Sequence, residues 1–144
     1  MANILIGSIC QVQGPVVDIK FADELPGLRT AIEIDNNGQR LVVEVAQHVG
    51  DDTVRCISMG PTEGLVRGLK ATATNESISV PVGEKTLGRI FNVLGQVIDG
   101  KAELSNNAPT APIHKKAPTL KELSTEVEIL VVAPFVEMSA TSHK

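Results

Sequence analysis

Aromatic residues are nearly missing from this sequence. The 144 residues contain three phenylalanines, Phe21, Phe91 and Phe135, and no tryptophan or tyrosine. Single-stranded nucleic acid is usually bound by exposed aromatic rings lying along a positively charged groove. The formal net charge is −4, which disfavours nucleic acid and anionic membranes as partners. With so few rings available, the hydrophobic core must be built from aliphatic side chains.

Cysteines, histidines and long hydrophobic runs are also scarce. Cys10 and Cys56 lie in apolar, strand-like segments, which predicts buried, reduced thiols, with a disulfide as the alternative if the two strands are neighbours. His48, His114 and His143 are far apart and have no cysteine or carboxylate at ligand spacing, so we expect no metal site. No apolar run approaches the roughly 20 residues of a membrane-spanning helix. The first residues, MANILIGSICQVQG, lack the features of a signal peptide. These features predict a soluble chain of cytosolic type.

Short apolar segments separated by turn residues dominate the first 80 residues. In VVDIKF the residues alternate, which predicts Val17, Ile19 and Phe21 on a buried face and Asp18 and Lys20 on a solvent face. Turn signals recur at intervals typical of a small antiparallel sandwich or barrel. The other predicted strands are residues 4–13, 30–35, 40–47, 53–59, 65–74 and 78–80.

The dipeptide Asn37-Gly38 is the strongest hairpin signal, because both residues tolerate positive φ. It predicts that residues 30–35 and 40–47 pair with each other. The fold class predicted for residues 1–80 is therefore mainly β, a small six-stranded antiparallel barrel.

The stretch VPVGEKTLGRIFNVLGQVIDG, which follows the predicted strands, has a different pattern. Leu87, Ile90, Phe91 and Leu94 follow the spacing of one helical face, and Gly95 suits the end of a helix. We interpret the stretch as a hinge containing a short helix. The segments after it are predicted to be a Pro-rich connector (101–117), a helical turn (119–123), a buried strand (127–136) and a frayed polar tail (137–144). The sequence is thus divided into a barrel domain, residues 1–80, and a second region, residues 81–144.

One segment nearly matches a phosphate-binding loop. The sequence GQVIDGKA, residues 95–102, departs from G-x-x-x-x-G-K-[ST] at Ala102, which has no hydroxyl for magnesium. No helix is predicted to begin at Lys101, although phosphate binding needs the free N–H groups of a helix start. The adjacent carboxylates Asp23-Glu24 and Asp51-Asp52 suit turns better than acid–base catalysis. We predict no catalytic residue, no cofactor-binding residue and no metal ligand.

Four stretches nevertheless resemble one family in the same order. VPVGEKTLGRIFNVLGQVIDG closely resembles a segment of the beta subunit of F-type ATP synthases. GPVVDIKF and VAQHVGDDTVRCISMGPTEGLVRG resemble strands of that family's N-terminal barrel, and IHKKAPTLKELSTEVEIL resembles the connector toward its nucleotide site. The resemblance covers roughly residues 3–130, and GRIFNV is similar to the beta type rather than to the alpha, flagellar or vacuolar relatives.

The resemblance implies a crown barrel that joins alternating alpha and beta subunits in a ring. The complex it implies synthesises ATP coupled to proton transport, uses ATP or ADP with Mg, and is peripheral to an energy-coupling membrane on its cytoplasmic side. The partners implied are the alpha subunits.

The last stretch, VVAPFVEMSATSHK, does not resemble the family's segment toward the Walker A loop, so no catalytic residue carries over. We expect a truncated beta chain, a barrel followed by an incomplete start of an α/β nucleotide-binding domain. Such a chain would hold no cofactor and would not bind or hydrolyse ATP alone. We expect residues 3–80 to fold and residues 105–144 to be poorly ordered. The alternatives are a free-standing barrel that binds single-stranded nucleic acid and a regulatory decoy that enters the ring.

Overall fold

A computed structural model describes residues 4–104, 108–117 and 119, and the backbone of residues 131–133 and 136–138. Two compact units divide the chain, Met1–Ile78 and Ser79–Lys144. The interpretation of the second unit as the start of an α/β nucleotide-binding domain stays a prediction.

Six antiparallel strands of the first unit close into a barrel in the order β1-β2-β5-β4-β3-β6. Closure leaves none of these strands with an unpaired edge. The predicted six-stranded antiparallel barrel is therefore confirmed. The strands are β1 (Ile6–Gln13), β2 (Val16–Phe21), β3 (Thr30–Asn36), β4 (Gln39–His48), β5 (Thr53–Ser58) and β6 (Lys70–Ser77).

The hairpin between β3 and β4 turns at the predicted dipeptide. Asn37 has φ 54° and Gly38 has φ 84°, and Asn36 lies opposite Gln39 in the register. The amide of Gly38 donates a hydrogen bond of 2.7 Å to Oδ1 of Asp35. The turn is thus closed by a side chain as well as by the positive φ of its two central residues.

The barrel core is almost entirely aliphatic, as the composition requires. Alternate residues of every strand point inward and form this core. Asp18 lies on the outer face of β2 and is not part of the core. The buried core residues are Ile9, Val17, Ile19, Phe21, Ile32, Ile34, Leu41, Val43, Val45, Val54, Cys56, Ala71 and Ala73.

The sixth strand begins later than the pattern 65–74 predicts. Leu65 donates its N–H to the carbonyl of Thr62, and Leu69 donates to Val66, so these residues form turns before the strand. The predicted strand 78–80 corresponds to β7 (Ser79–Pro81), which lies outside the barrel.

The predicted helix over residues 87–94 is wrong. In the part of the second unit that the structure describes, the only helical element is the 3-10 turn Glu84–Thr86, and residues 87–98 contain no helix. Phe91 instead bridges Val97 in antiparallel pairing, and Ile98 donates its N–H to the carbonyl of Ile90. An isolated helix of this length is only marginally stable in water, so tertiary contacts decide whether it forms.

Asn92 and Gly95 explain why this segment folds back on itself. Oδ1 of Asn92 accepts hydrogen bonds from the amides of Leu94 (3.0 Å) and Gln96 (2.9 Å), a side-chain bond that competes with helix. Gly95 has φ 76° and serves a tight turn rather than a helix end. A Cβ at Gly95 would lie 2.6 Å from Cδ of Pro81, so the turn packs directly on β7.

The predicted connector is partly a strand. Within it, β8 (Thr110–Pro112) pairs antiparallel with β7, and Val82 donates its N–H to the carbonyl of Pro109. The pairing returns the chain to the first residues of the second unit, which a Pro-rich composition alone did not indicate.

The single strand predicted over residues 127–136 is also wrong. Two short strands, β9 (Val131–Ala133) and β10 (Val136–Met138), pair antiparallel with Ala133 opposite Val136. Glu137 and Met138 therefore belong to a strand and not to a frayed tail. Three predicted segments lie outside the described residues: the rest of the tail (139–144), residues 127–130 of the predicted strand, and the predicted helical turn 119–123 apart from Thr119.

Candidate functional site: the outer wall of the barrel

Aliphatic side chains fill the inside of the barrel, so most of its polar chemistry lies on the outer wall and in the loops. Ile19, Ile32, Ile34, Val17, Val43, Val45 and Val54 are among its largest fully buried side chains. Groups that could contact a partner therefore lie at the outward positions of the strands.

An ion pair between β2 and β5 is the best-defined polar feature of that wall. Asp18 and Arg55 lie directly opposite each other. Nε and Nη2 of Arg55 donate to Oδ1 and Oδ2 of Asp18, each at 2.9 Å. This bidentate geometry holds the pKa of Asp18 below its usual value, mainly through the hydrogen bond from Arg55, and raises the pKa of Arg55. Such paired, planar contacts are the stronger kind of charged hydrogen bond.

The two partners differ in exposure. The side chain of Asp18 is 9% exposed and that of Arg55 is 44% exposed. The sequence pattern correctly places Asp18 on the outer face but predicts a solvent-facing carboxylate, and the structure shows it covered. The pairing of β2 with β5 produces this cover, and strand pairing cannot be read from alternation within one strand.

Two β-bulges extend the ion pair into a longer row. One extra residue in β1, Cys10, brings Gln11 opposite Asp18. One extra residue in β4, Ala46, brings Gln47 opposite Arg55. Bulges commonly redirect side chains where a sheet has a function. The result is a polar row across four neighbouring strands, formed by Gln11, Asp18, Arg55 and Gln47.

The polar row has an apolar neighbour on one side and a second ion pair on the other. Ile57 is 47% exposed and lies opposite the half-buried Val16. Nζ of Lys20 lies 2.5 Å from Oδ2 of Asp52, and the hydrogen bond with Asp52 raises the pKa of Lys20. We call this surface the β2–β5 wall; it comprises the polar row together with Val16, Ile57, Lys20 and Asp52.

The two cysteines lie on different strands that are not neighbours. Cys10 is half-buried and its Sγ donates to the carbonyl of Asp18 at 3.2 Å, whereas Cys56 is fully buried. Burial, followed by the charge of Asp18, raises the pKa of Cys56 to about 12. Both thiols are free, because β2 separates β1 from β5, so the disulfide alternative is wrong. Reduced thiols are confirmed, with full burial at Cys56 alone.

The barrel is similar to a known family of domains. Residues 9–75 match the model of the ATP synthase alpha/beta family, beta-barrel domain. The match begins in β1 and ends in β6, so it includes residues of all six strands. It relates the barrel to the alpha and beta chains of F-, V- and A-type ATPases. The match does not distinguish among those chains, and it ends before the second unit.

Outside the barrel, the segment of residues 95–102 nearly matches a phosphate loop, but its own side chain Asp99 takes up hydrogen-bond donors there. Asp99 accepts hydrogen bonds from Nε of Arg89 (2.6 Å) and from the amides of Ile90 (3.4 Å) and Lys101 (3.0 Å). The bond with Arg89 contributes most to lowering the pKa of Asp99. A phosphate would need free amides, and here the amide of Lys101 already binds a carboxylate. No helix begins within residues 101–104.

The remaining predicted positions give no cluster. Nε2 of His48 lies 2.8 Å from the carbonyl oxygen of Pro26, and His143 lies outside the described residues. Among the residues that the structure describes, no three His, Cys, Asp or Glu side chains are grouped as metal ligands. In the part of the chain that the structure describes, every helix is too short or too polar to span a bilayer. The predicted absence of catalytic, cofactor-binding and metal-binding residues stays a prediction.

Proposed function

We propose that the barrel is an assembly module that joins this chain to neighbouring alpha/beta-type subunits of an ATPase ring. The observation that carries the proposal is the family match over a closed six-stranded barrel whose interior is filled. A barrel with a packed interior and no free strand edges acts through its outer surface.

The finer assignment is to the beta type of an F-type ATP synthase, with alpha subunits as partners. The ordered resemblance of GPVVDIKF, VPVGEKTLGRIFNVLGQVIDG and the two other stretches supports it. Under this assignment the chain works in a complex that couples ATP synthesis to proton transport. That complex is peripheral to an energy-coupling membrane, on its cytoplasmic side.

We further propose that these 144 residues do not bind or hydrolyse ATP alone. Support comes from the segment of residues 95–102, where Asp99 takes the backbone amide of Lys101 and Ala102 stands at the hydroxyl position. Isothermal titration with Mg-ATP should give a dissociation constant weaker than about 1 mM, because in the loop of residues 95–102 the amide of Lys101 already binds Asp99 and is not free for a phosphate. Micromolar binding would overturn this part of the proposal.

Association with an alpha subunit tests the assembly role. The full chain is mixed with purified alpha subunit of an F-type ATP synthase, and the mass of the mixture is measured by light scattering after gel filtration. We expect a complex at micromolar concentrations, and an unrelated acidic barrel protein serves as the control. A chain that elutes alone up to about 100 μM would contradict the proposal, since specific interfaces bind more tightly than this.

The nucleic-acid alternative loses support from the structure. Phe21 and Phe91 are 2% and 6% exposed, so neither described ring is available for base stacking. A salt-sensitive mobility shift with an oligonucleotide would restore that alternative. The decoy alternative predicts that added chain lowers the ATPase activity of a reconstituted ring, and the association experiment can be extended to measure this.

A further inference from the structure

We propose that the β2–β5 wall is the face of the barrel that seats a neighbouring subunit. We further propose that the segment it seats offers neutral oxygen acceptors, such as main-chain carbonyls, beside an aliphatic side chain. The inference rests on the proposed assembly function and adds to it the contact surface and the chemistry of the partner.

Arg55 supplies the donors for this contact. A guanidinium carries five N–H groups, and Asp18 takes one from Nε and one from Nη2. The side chain is 44% exposed, so a partner can reach the guanidinium from outside the barrel. Its outer edge is held in a fixed orientation by the bidentate contact beneath it. A rigid, exposed guanidinium edge is a frequent anchor of protein interfaces.

The charges of the wall determine which acceptors suit it. Asp18 neutralises Arg55, and Asp52 neutralises Lys20. Covering a charge that already has its partner avoids the large penalty of an unpaired buried charge. A carboxylate on the neighbour would introduce a charge with no counterpart, and an ammonium would do the same. Charge complementarity therefore favours neutral carbonyl oxygens opposite Arg55.

The apolar part of the contact is Ile57. It is one of the exposed large hydrophobic residues of the unit and adjoins Val16 beside the polar row. An exposed aliphatic side chain next to an anchored arginine resembles the centre of an interface, where a few residues carry most of the binding energy. Gln11 and Gln47, at the two ends of the row, can each donate and accept at its rim.

The test measures the affinity of the full chain for an alpha subunit by titration calorimetry. Arg55→Lys keeps the charge but loses the planar fork, and we expect the dissociation constant to rise about tenfold. Ile57→Ser should raise it by about fivefold or more. Because Ile57 is already half exposed, this second variant retains the fold, which far-UV circular dichroism checks.

Matched controls lie elsewhere on the same barrel. Like Arg55, Arg40 is paired with a carboxylate, that of Glu33 at 2.6 Å. Like Ile57, Val66 is an exposed aliphatic residue. Arg40→Lys and Val66→Ser should leave the affinity within about twofold, since most residues away from an interface contribute little. Equal loss from control and wall variants would overturn the assignment of the wall.

The salt dependence tests the partner chemistry. With neutral acceptors, the dissociation constant should change less than about threefold between 0.05 and 0.5 M NaCl, because no new charge pair forms. A change of more than about threefold would overturn neutral acceptors in favour of a carboxylate. If the wild-type chain fails to bind at all, the assembly function and this inference both fail. If the wall variants bind as tightly as the wild type, only this inference fails.

Discussion

Gly7 of β1 lies where the barrel has no room for a side chain. A Cβ built on Gly7 would lie 2.8 Å from Cγ2 of Ile19, 2.8 Å from the carbonyl oxygen of Lys20 and 2.9 Å from Cζ of Phe21. These distances are well inside van der Waals contact. One of the three atoms belongs to the backbone of the paired strand β2, so a rotamer change cannot relieve the clash. Gly7→Ala must push β1 and β2 apart or distort them.

The expected cost is near the upper end of what overpacking causes. Inserting one methyl group into a packed core typically costs about 1–3 kcal/mol, and here three neighbours must move. We expect Gly7→Ala to lower the free energy of unfolding by about 3 kcal/mol, a large part of the roughly 5–15 kcal/mol of a typical domain. The midpoint of thermal unfolding should fall by about 12–24 °C.

Gly27 provides the matched control for the same substitution. A Cβ at Gly27 would meet only Oγ1 of Thr30 at 3.6 Å, an ordinary contact, so Gly27→Ala should change stability by less than about 1 kcal/mol. Urea unfolding followed by far-UV circular dichroism is the suitable measurement, because the chain has no tryptophan or tyrosine. A loss below about 1 kcal/mol for Gly7→Ala with an unchanged urea slope would refute the steric argument.

Three other perturbations have defined outcomes. Asp18 has a lowered pKa in the folded chain, so its stabilising effect is present above the unfolded value of 3.8 and is lost as the pH falls below it. Asp18→Asn should therefore lose less stability than the wild type when urea midpoints are compared between about pH 5 and pH 2, and parallel curves would contradict this. Gly95→Ala should reduce hydrogen-exchange protection in β7 and leave the barrel unchanged. The control Gly100→Ala also has positive φ but meets nothing within 4 Å, and equal effects of the two would argue against packing on β7. In thiol titration at about pH 8, Cys10 should react in the folded chain and Cys56 only after unfolding, because burial disfavours its thiolate; two rapidly reacting thiols in the folded chain would contradict the burial of Cys56.

The barrel could be predicted because its signals are local. Alternation in VVDIKF and the turn at Asn37-Gly38 depend on neighbours in sequence, and both are present in the structure. The strand starting at Lys70 was predicted too early because Leu65 and Leu69 are apolar although they lie in turns. Apolar character alone does not separate a strand from a turn that packs against the core.

The features that sequence reasoning missed depend on contacts between distant residues. Leu87, Ile90, Phe91 and Leu94 have helical spacing, yet the side chain of Asn92 closes a turn instead. Local hydrogen bonds of this kind compete with a helix that has no partner of its own. The polar row was likewise missed, because it needs the strand order β1-β2-β5-β4 and two bulges. The one feature of the sequence that pointed to this row was Asp18, an acidic residue inside a strongly apolar strand.

The pairing of β1 with β6 determines when the barrel can close during synthesis of the chain. Ile6 pairs with Thr72, and Ser8 pairs with Lys70, so the first strand of the barrel to leave a ribosome must wait for the sixth before the two can pair. Hairpins can form meanwhile, but the ring of strands cannot close until β6 has emerged, because this pairing joins residues far apart in sequence. Until then β1 carries an unsatisfied edge. The interval before β6 arrives is therefore when the nascent barrel most needs protection from pairing with another chain.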